Sequence, residues 1–323
     1  MNLLGRGLSP LVRYGRHMRS VLTYYELNPK WLVRHYGFSC ARRLSPMAAI
    51  DGNGLRYLMR TGDVLGRHLY VFRDYEQSVM QAALQMLEDR SGRRPFLGGR
   101  TFLDVGANLG SSVIPAVKLF GAARGIAFEP APANYDVLRC NLILNGVENL
   151  VAAHAVALSD HDGADTLELS GDNSGDHRIR AGVGRNGVGP ADGAFFDEGA
   201  RPVISVRAAR LDTLVEQGLI DRTTLGLVWV DVQGHEAQVL AGAPALLAAR
   251  PDLPFVIEFW PYGLRRAGGL DQLCAIIADT FGTVIDVRAS ERRATVVELP
   301  AARVATLVDR YDGVSFTDLV LLG

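Results

Sequence analysis

From residue 101 to the C-terminal end, short apolar runs alternate with longer stretches whose apolar positions recur every three or four residues. The runs are "TFLDV" (101–105), "GIAFE" (125–129), "LVAAHAVAL" (150–158), "VISVRA" (203–208), "LGLVWVDV" (225–232), "LPFVIEF" (253–259), "GTVIDV" (282–287) and "FTDLVLLG" (316–323). Helical periodicity falls between them, up to Phe120, over 132–145, over 234–249 and over 270–280. Strands that are apolar on both faces and separated by helices predict an α/β fold with a mostly parallel, doubly wound sheet covered by helices on both faces. One region breaks the pattern. Residues 160–202 are rich in Gly and Asp and too long for an ordinary connection, so a hairpin with a mobile loop is expected there.

The pattern before the sheet is different, which divides the chain into an appendage over 1–75 and a main domain over 76–323. Leu4, Leu8, Leu11, Val12, Met18 and Leu22 alternate with Arg6, Arg13, Arg16 and Arg19, a basic amphipathic helix pattern within residues 3–33. Such a stripe packs on its own protein or a second subunit, or makes a peripheral contact with a membrane surface or a lipid-linked substrate. "LRYLMR" and "HLYVFR" read as short strands with a turn at Asp51-Gly52-Asn53-Gly54, and "DYEQSVMQAALQML" reads as a helix leading into the core.

Composition adds less. A chain of 323 residues that is 48% hydrophobic and 21% charged is long enough for a large core and unlike a disordered chain. Net charge is -1, yet residues 1–100 carry 16 Lys and Arg against 7 Asp and Glu, which leaves 18 against 28 for the remainder. That polarity alone does not indicate a nucleic-acid partner. Cys40, Cys140 and Cys274 are far apart and lack C-x-x-C spacing, which argues against a disulfide framework or a zinc site. No apolar run reaches the ~18 residues of a membrane span. A cytoplasmic protein is expected.

The candidate chemistry sits at strand ends. In "FLDVGANLG" a strand ends on Asp104 and passes through Gly106 and Asn108 to Gly110 at the start of a helix. The spacing is G-x-x-x-G, so the dinucleotide fingerprint lacks its middle glycine. Glu129 ends the next strand, 19 residues past Gly110, where a carboxylate can grip both hydroxyls of a ribose. "VALSD" brings Ser159 to the same crevice. In "VWVDVQGHE", Asp231 ends a buried strand and His235 falls in the first turn of the following helix, where the positive helix end lowers an imidazole pKa. An acid-base pair and a metal edge are both compatible with that spacing, as is a capping Asp with a structural His. Glu258 ends the fifth strand.

Taken together, "FLDVGANLG", "AFEPAPANYDVLRCNLILN", "VALSD", "DNSGDHR", "RLDTL" and "VDVQGHE" resemble, in order and style, the FkbM-type methyltransferases, a branch of the class I S-adenosylmethionine-dependent enzymes. The resemblance covers about residues 75–260. It implies a seven-stranded Rossmann-like sheet, S-adenosylmethionine as cofactor, and methyl transfer to a hydroxyl of a sugar, glycolipid, polysaccharide or secondary metabolite. It also implies Asp104, Gly106, Asn108 and Gly110 around the methionine part, Glu129 on the ribose and Ser159 near the adenine. Many members carry Glu where this chain has Gln233, so a base or ligand role at that position would pass to Asp231 or His235, or be unnecessary here. The expected mechanism is in-line attack of a substrate oxygen, with His235 as the base and Asp231 orienting it or binding the acceptor hydroxyl, and with no assigned metal. The rivals are an NAD-dependent oxidoreductase or epimerase and a non-catalytic binding protein on the same fold. The 160–202 insertion is expected to act as a lid.

Overall fold

The structure is a computed structural model and describes residues 28–180, 201–311 and 313–323. Most of the 3–33 amphipathic segment and residues 181–200 of the insertion lie outside the described residues. In chain order the elements are α1 (Pro29–Leu44), β1 (Met47–Gly52), β2 (Leu55–Arg60), α2 (Val64–Phe72), α3 (Gln77–Ser91), β3 (Thr101–Val105), α4 (Val113–Lys118), β4 (Arg124–Phe128) and α5 (Pro132–Leu144). Then follow β5 (Val151–His154), β6 (Ala157–Leu158), β7 (Gly163–Glu168), β8 (Arg178–Ile179), β9 (Val203–Ala209), α6 (Leu211–Glu216) and β10 (Leu225–Val230). The chain closes with α7 (Glu236–Ala241), α8 (Pro244–Ala249), β11 (Phe255–Phe259), α9 (Pro261–Arg266), α10 (Leu270–Thr280), β12 (Thr283–Asp286), α11 (Val287–Arg293), β13 (Glu298–Pro300), a 3-10 turn (Ala301–Leu307) and β14 (Thr317–Leu322).

The main sheet has the order β13-β12-β14-β11-β10-β3-β4-β5. From β11 to β5 all neighbours are parallel, and β14, β12 and β13 add antiparallel pairs at the other edge. Its central strands are buried on both faces, as their unbroken apolar runs require. Leu103, Val228, Val230 and Ile257 pack into one core, while Phe102, Leu227, Trp229 and Val256 pack into a second core on the opposite face.

Four expectations need correction. The main sheet has eight strands instead of seven, because the three-residue β13 joins its edge. "VISVRA" leaves that sheet and forms β9 in a separate sheet of order β6-β9-β7-β8. Its residues alternate between exposed and covered positions along most of its length, the pattern of a sheet with one solvated face. "HLYVFR" is the end of helix α2; Leu65 and Leu69, four apart, bury one face, and a short apolar run does not distinguish that from a strand. The helix over 234–249 is two short helices, interrupted before Pro244, whose ring cannot continue a helix from the preceding turn.

The appendage docks on the main domain through an amide device on α5. Leu58 N–H donates to Asn141 Oδ1 at 2.6 Å, and Asn141 Nδ2 donates to Leu58 O at 3.1 Å. Asn145 treats Arg56 in the same way, at 2.9 and 2.7 Å. Four residues of helix advance about 6 Å and two residues of strand about 6.7 Å, so two carboxamides on one helix face can satisfy the free edge of β2. Ile50, Leu55, Tyr57, Met59, Leu65 and Leu69 pack in the same core as Phe102 and Val113. Among the described residues no helix is long and apolar enough to cross a membrane.

Candidate active site

Strand order reverses between β3 and β10, and a cavity opens there beyond the carboxyl ends of the parallel strands. Gly106 and Gly110 both have left-handed φ, +93° and +94°. A Cβ on Gly106 would lie 1.8 Å from the Asp231 carbonyl oxygen, and one on Gly110 would lie 2.6 Å from Ile114 Cδ1. Their bareness therefore lets the β3 turn close on the end of β10 and on α4, before any ligand is considered. Gly106 and Asn108 line the cavity; Asp104, Gly110 and Ser159 do not. Asp104 instead accepts the Val113 N–H at 3.0 Å, so it caps α4 from within the core. Burial, the Glu76 carboxylate and other acids hold its pKa well above the usual range against that hydrogen bond.

Glu129 reaches the cavity from the end of β4. Its Oε2 accepts from Asn108 N–H at 2.9 Å and its Oε1 from Ala131 N–H at 2.8 Å. A carboxylate has about four lone-pair sites, so acceptor capacity remains for an outside donor beside these two and the Asn134 side chain. Burial pushes the carboxyl up to about 7, against the two backbone donors, the Asn134 side chain and the Arg60 charge, which pull it down. Asn108, at φ +50°, keeps its side-chain Oδ1 buried without a hydrogen-bond donor among the described residues.

The end of β10 brings four polar side chains together. Gln233 Nε2 donates to Asp231 Oδ1 at 2.7 Å and to Glu258 Oε2 at 3.0 Å. Glu236 Oε1 accepts from the Val232 and Gly234 N–H groups, while its Oε2 is buried without a donor among the described residues. Asp231, Glu236 and Glu258 place ligand atoms within 4.8 Å of one another, a set able to approach a cation, with the Gln233 amide donating to two of the three. Burial raises the Asp231 carboxyl, opposed by hydrogen bonds from Gln233. His235 also lines the cavity, but its Nε2 lies 3.1 Å from Ser159 Oγ. Asp231 and His235 thus share one wall, each held by a different neighbour.

Several lining residues carried no signal of function in the sequence. Tyr75 and Glu76 sit at the start of α3, in "DYEQS", which reads only as a helix entry. Glu76 has φ +63° and accepts from the hydroxyls of Ser111 and Ser112. Burial, aided by the Asp231 carboxylate, pushes it up to about 7. Ser174, Gly175 and His177 line the cavity too, and these come from "DNSGDHR", one of the stretches that carry the resemblance. His177 Nδ1 accepts from the Ser170 N–H at 3.0 Å, so the ring proton rests on Nε2, and burial lowers the pKa. Asp63 takes the Ser174 N–H at 2.9 Å, and Asp176 pairs with Arg178 and Arg201. This part of the insertion is an anchored wall.

A family model described as the methyltransferase FkbM domain matches residues 104–273. The chain is 30% identical over 158 residues to methyltransferase sdnD of Sordaria araneosa, covering 43% of this chain and 59% of that relative's length. A solved FkbM methyltransferase from Methylobacillus flagellatus KT is similar at 14% identity and TM-score 0.41, over 79% of this chain and 52% of that one. An O-methyltransferase from Bacillus cereus, solved with SAH, is similar at 11% identity and TM-score 0.38, over 81% of this chain and 99% of that one.

Proposed function

The chain belongs to the FkbM methyltransferase domain family, and on that premise we propose that it methylates a hydroxyl oxygen of a small-molecule or glycan acceptor, a sugar, glycolipid, polysaccharide or secondary metabolite. S-adenosylmethionine is the cofactor. The observation that carries this reading is the cavity at the switch point, with Glu129 at one end and Asp231 at the other.

The residues present suit that cofactor. Glu129 has acceptor capacity for two ribose hydroxyls, the orphaned Asn108 Oδ1 can take a further donor, and no Lys or Arg lines the cavity among the described residues. A positively charged ligand meets carboxylates there. When bound, the cofactor supplies a methyl group already activated as a sulfonium. The protein's share is to align the acceptor oxygen, exclude water and receive a proton.

Asp231 is favoured over His235 for that proton. Its carboxylate is at the cavity wall, oriented by the Gln233 amide, and its raised pKa brings it nearer to the working range of a base. His235 Nε2 is engaged by Ser159, which suits a ring that shapes the wall. The three free cysteines, none within a disulfide, support a cytoplasmic setting.

The test pairs two measurements on the purified protein. Calorimetry with S-adenosylhomocysteine should give saturable binding, and labelled S-adenosylmethionine should pass its methyl group to a glycan or lipid fraction. Absence of both would return the chain to a binding role on a methyltransferase fold.

A further inference from the structure

We infer that Glu76 is the seat of the cofactor's α-ammonium group, a cofactor contact supplied from outside the matched methyltransferase region. The inference rests on the function proposed above and adds a residue to its site. Glu76 precedes α3 in a left-handed conformation that turns it to the cavity, next to the loop that follows Gly110. Its Oε2 accepts from Ser111 Oγ at 3.0 Å and from Ser112 Oγ at 2.5 Å. The two hydroxyls orient the carboxylate without neutralising it.

What surrounds Glu76 is acidic or neutral. Asp104, Asp231, Glu258 and Asp318 act on it or are acted on by it, and Tyr57 and Tyr75 are the phenols on its side of the core. An ionised Glu76 in this setting calls for a cation from outside, because a buried charge is stable only when paired. Of the two positive groups on S-adenosylmethionine, the sulfonium has no N–H or O–H to donate, whereas the ammonium has three. A carboxylate already gathering hydroxyl donors matches the latter. The position agrees: Glu76 lines the same cavity as Glu129, Gly106 and Asn108 and meets Ser111 and Ser112 just past the glycine turn, so a cofactor whose ribose were held by Glu129 would have Glu76 within the same cavity for its amino-acid end.

The test compares two ligands on each protein by calorimetry. S-adenosylhomocysteine carries the ammonium, and 5′-methylthioadenosine shares its nucleoside but has no amino-acid tail. Glu76→Gln should weaken the first by roughly 10- to 100-fold and leave the second within about twofold. Because the readout is a ratio within one preparation, a partial loss of folded protein cancels. The double variant Ser111→Ala/Ser112→Ala, which keeps the carboxylate, should show a smaller loss confined to the tailed ligand. An unchanged ratio in Glu76→Gln would overturn the inference while the function stands. Failure of the wild type to bind either ligand would overturn both.

Discussion

Ser159 Oγ lies 3.1 Å from His235 Nε2, so the residue that follows β6 holds the ring that opens α7. The backbone that follows α7 also comes close: a Cβ on Gly242 would lie 2.1 Å from the Ser159 carbonyl oxygen. Two side chains 76 residues apart, one expected near the adenine and the other expected to be the base, form one buried contact.

This contact separates the two candidate bases. Asp231→Asn should lower turnover by about 10²-fold or more with S-adenosylhomocysteine affinity nearly intact, since the proton is taken only during transfer. His235→Ala should cost turnover less than that. Steady-state kinetics on both variants decides, and the reverse order of effects would restore His235 as the base.

Glu129→Gln keeps the shape but removes the charge from both ribose contacts. The variant should bind S-adenosylhomocysteine more weakly by roughly 1 to 3 kcal/mol, the scale of charge-assisted hydrogen bonds. Isothermal titration measures it, and a folded variant with wild-type affinity would take Glu129 out of the cofactor site.

Stability of the ligand-free protein should fall as pH rises. Glu76, Glu129 and Glu236 sit at about 7 in the folded protein against an ordinary 4.5, each mainly through burial. Below 4.5 they are protonated in both states, and their contribution is fully present. Between 4.5 and 7 the unfolded chain gives up these protons first, so the folded state binds more protons and loses stability with rising pH, until both states are ionised. Thermal melts between about pH 5 and 8 should show the decline, and S-adenosylhomocysteine should raise the melting temperature most at the alkaline end. A melting temperature that climbs steadily over this window would contradict the assignment.

Asn141→Ala tests the docking of the appendage. The Asn141 side chain is fully buried and serves Leu58 N–H, Leu58 O and Leu109 O. Removing it leaves polar backbone groups unpaired, at about 1 to 3 kcal/mol for each group that water does not reach. Denaturant unfolding should show the midpoint shift. Hydrogen exchange should rise first in β2, and uniform exchange across the chain would argue against a local docking role.

The apolar pattern made legible the helix-covered sheet of the main domain and the strands whose ends face the cavity. Apolar runs at 101–105, 225–230 and 255–259 have to be buried on both faces, and only a helix-covered parallel sheet does that. It also located Glu129, Asn108, Asp231 and His235, because the end of a strand is where a chain turns outward. Tertiary structure alone decided which of these side chains are available. Asp104 is spent on the Val113 N–H of α4, Ser159 on His235, and Gly110 on the packing of Ile114 and Leu138, all contacts between segments distant in the chain or folded back on it. Glu76 shows the converse: nothing in "DYEQS" has a periodicity or spacing that marks a site, and the residue joins the cavity only because α3 packs beside the glycine turn. Periodicity records which face of an element is buried; what a polar side chain meets depends on the element packed against it.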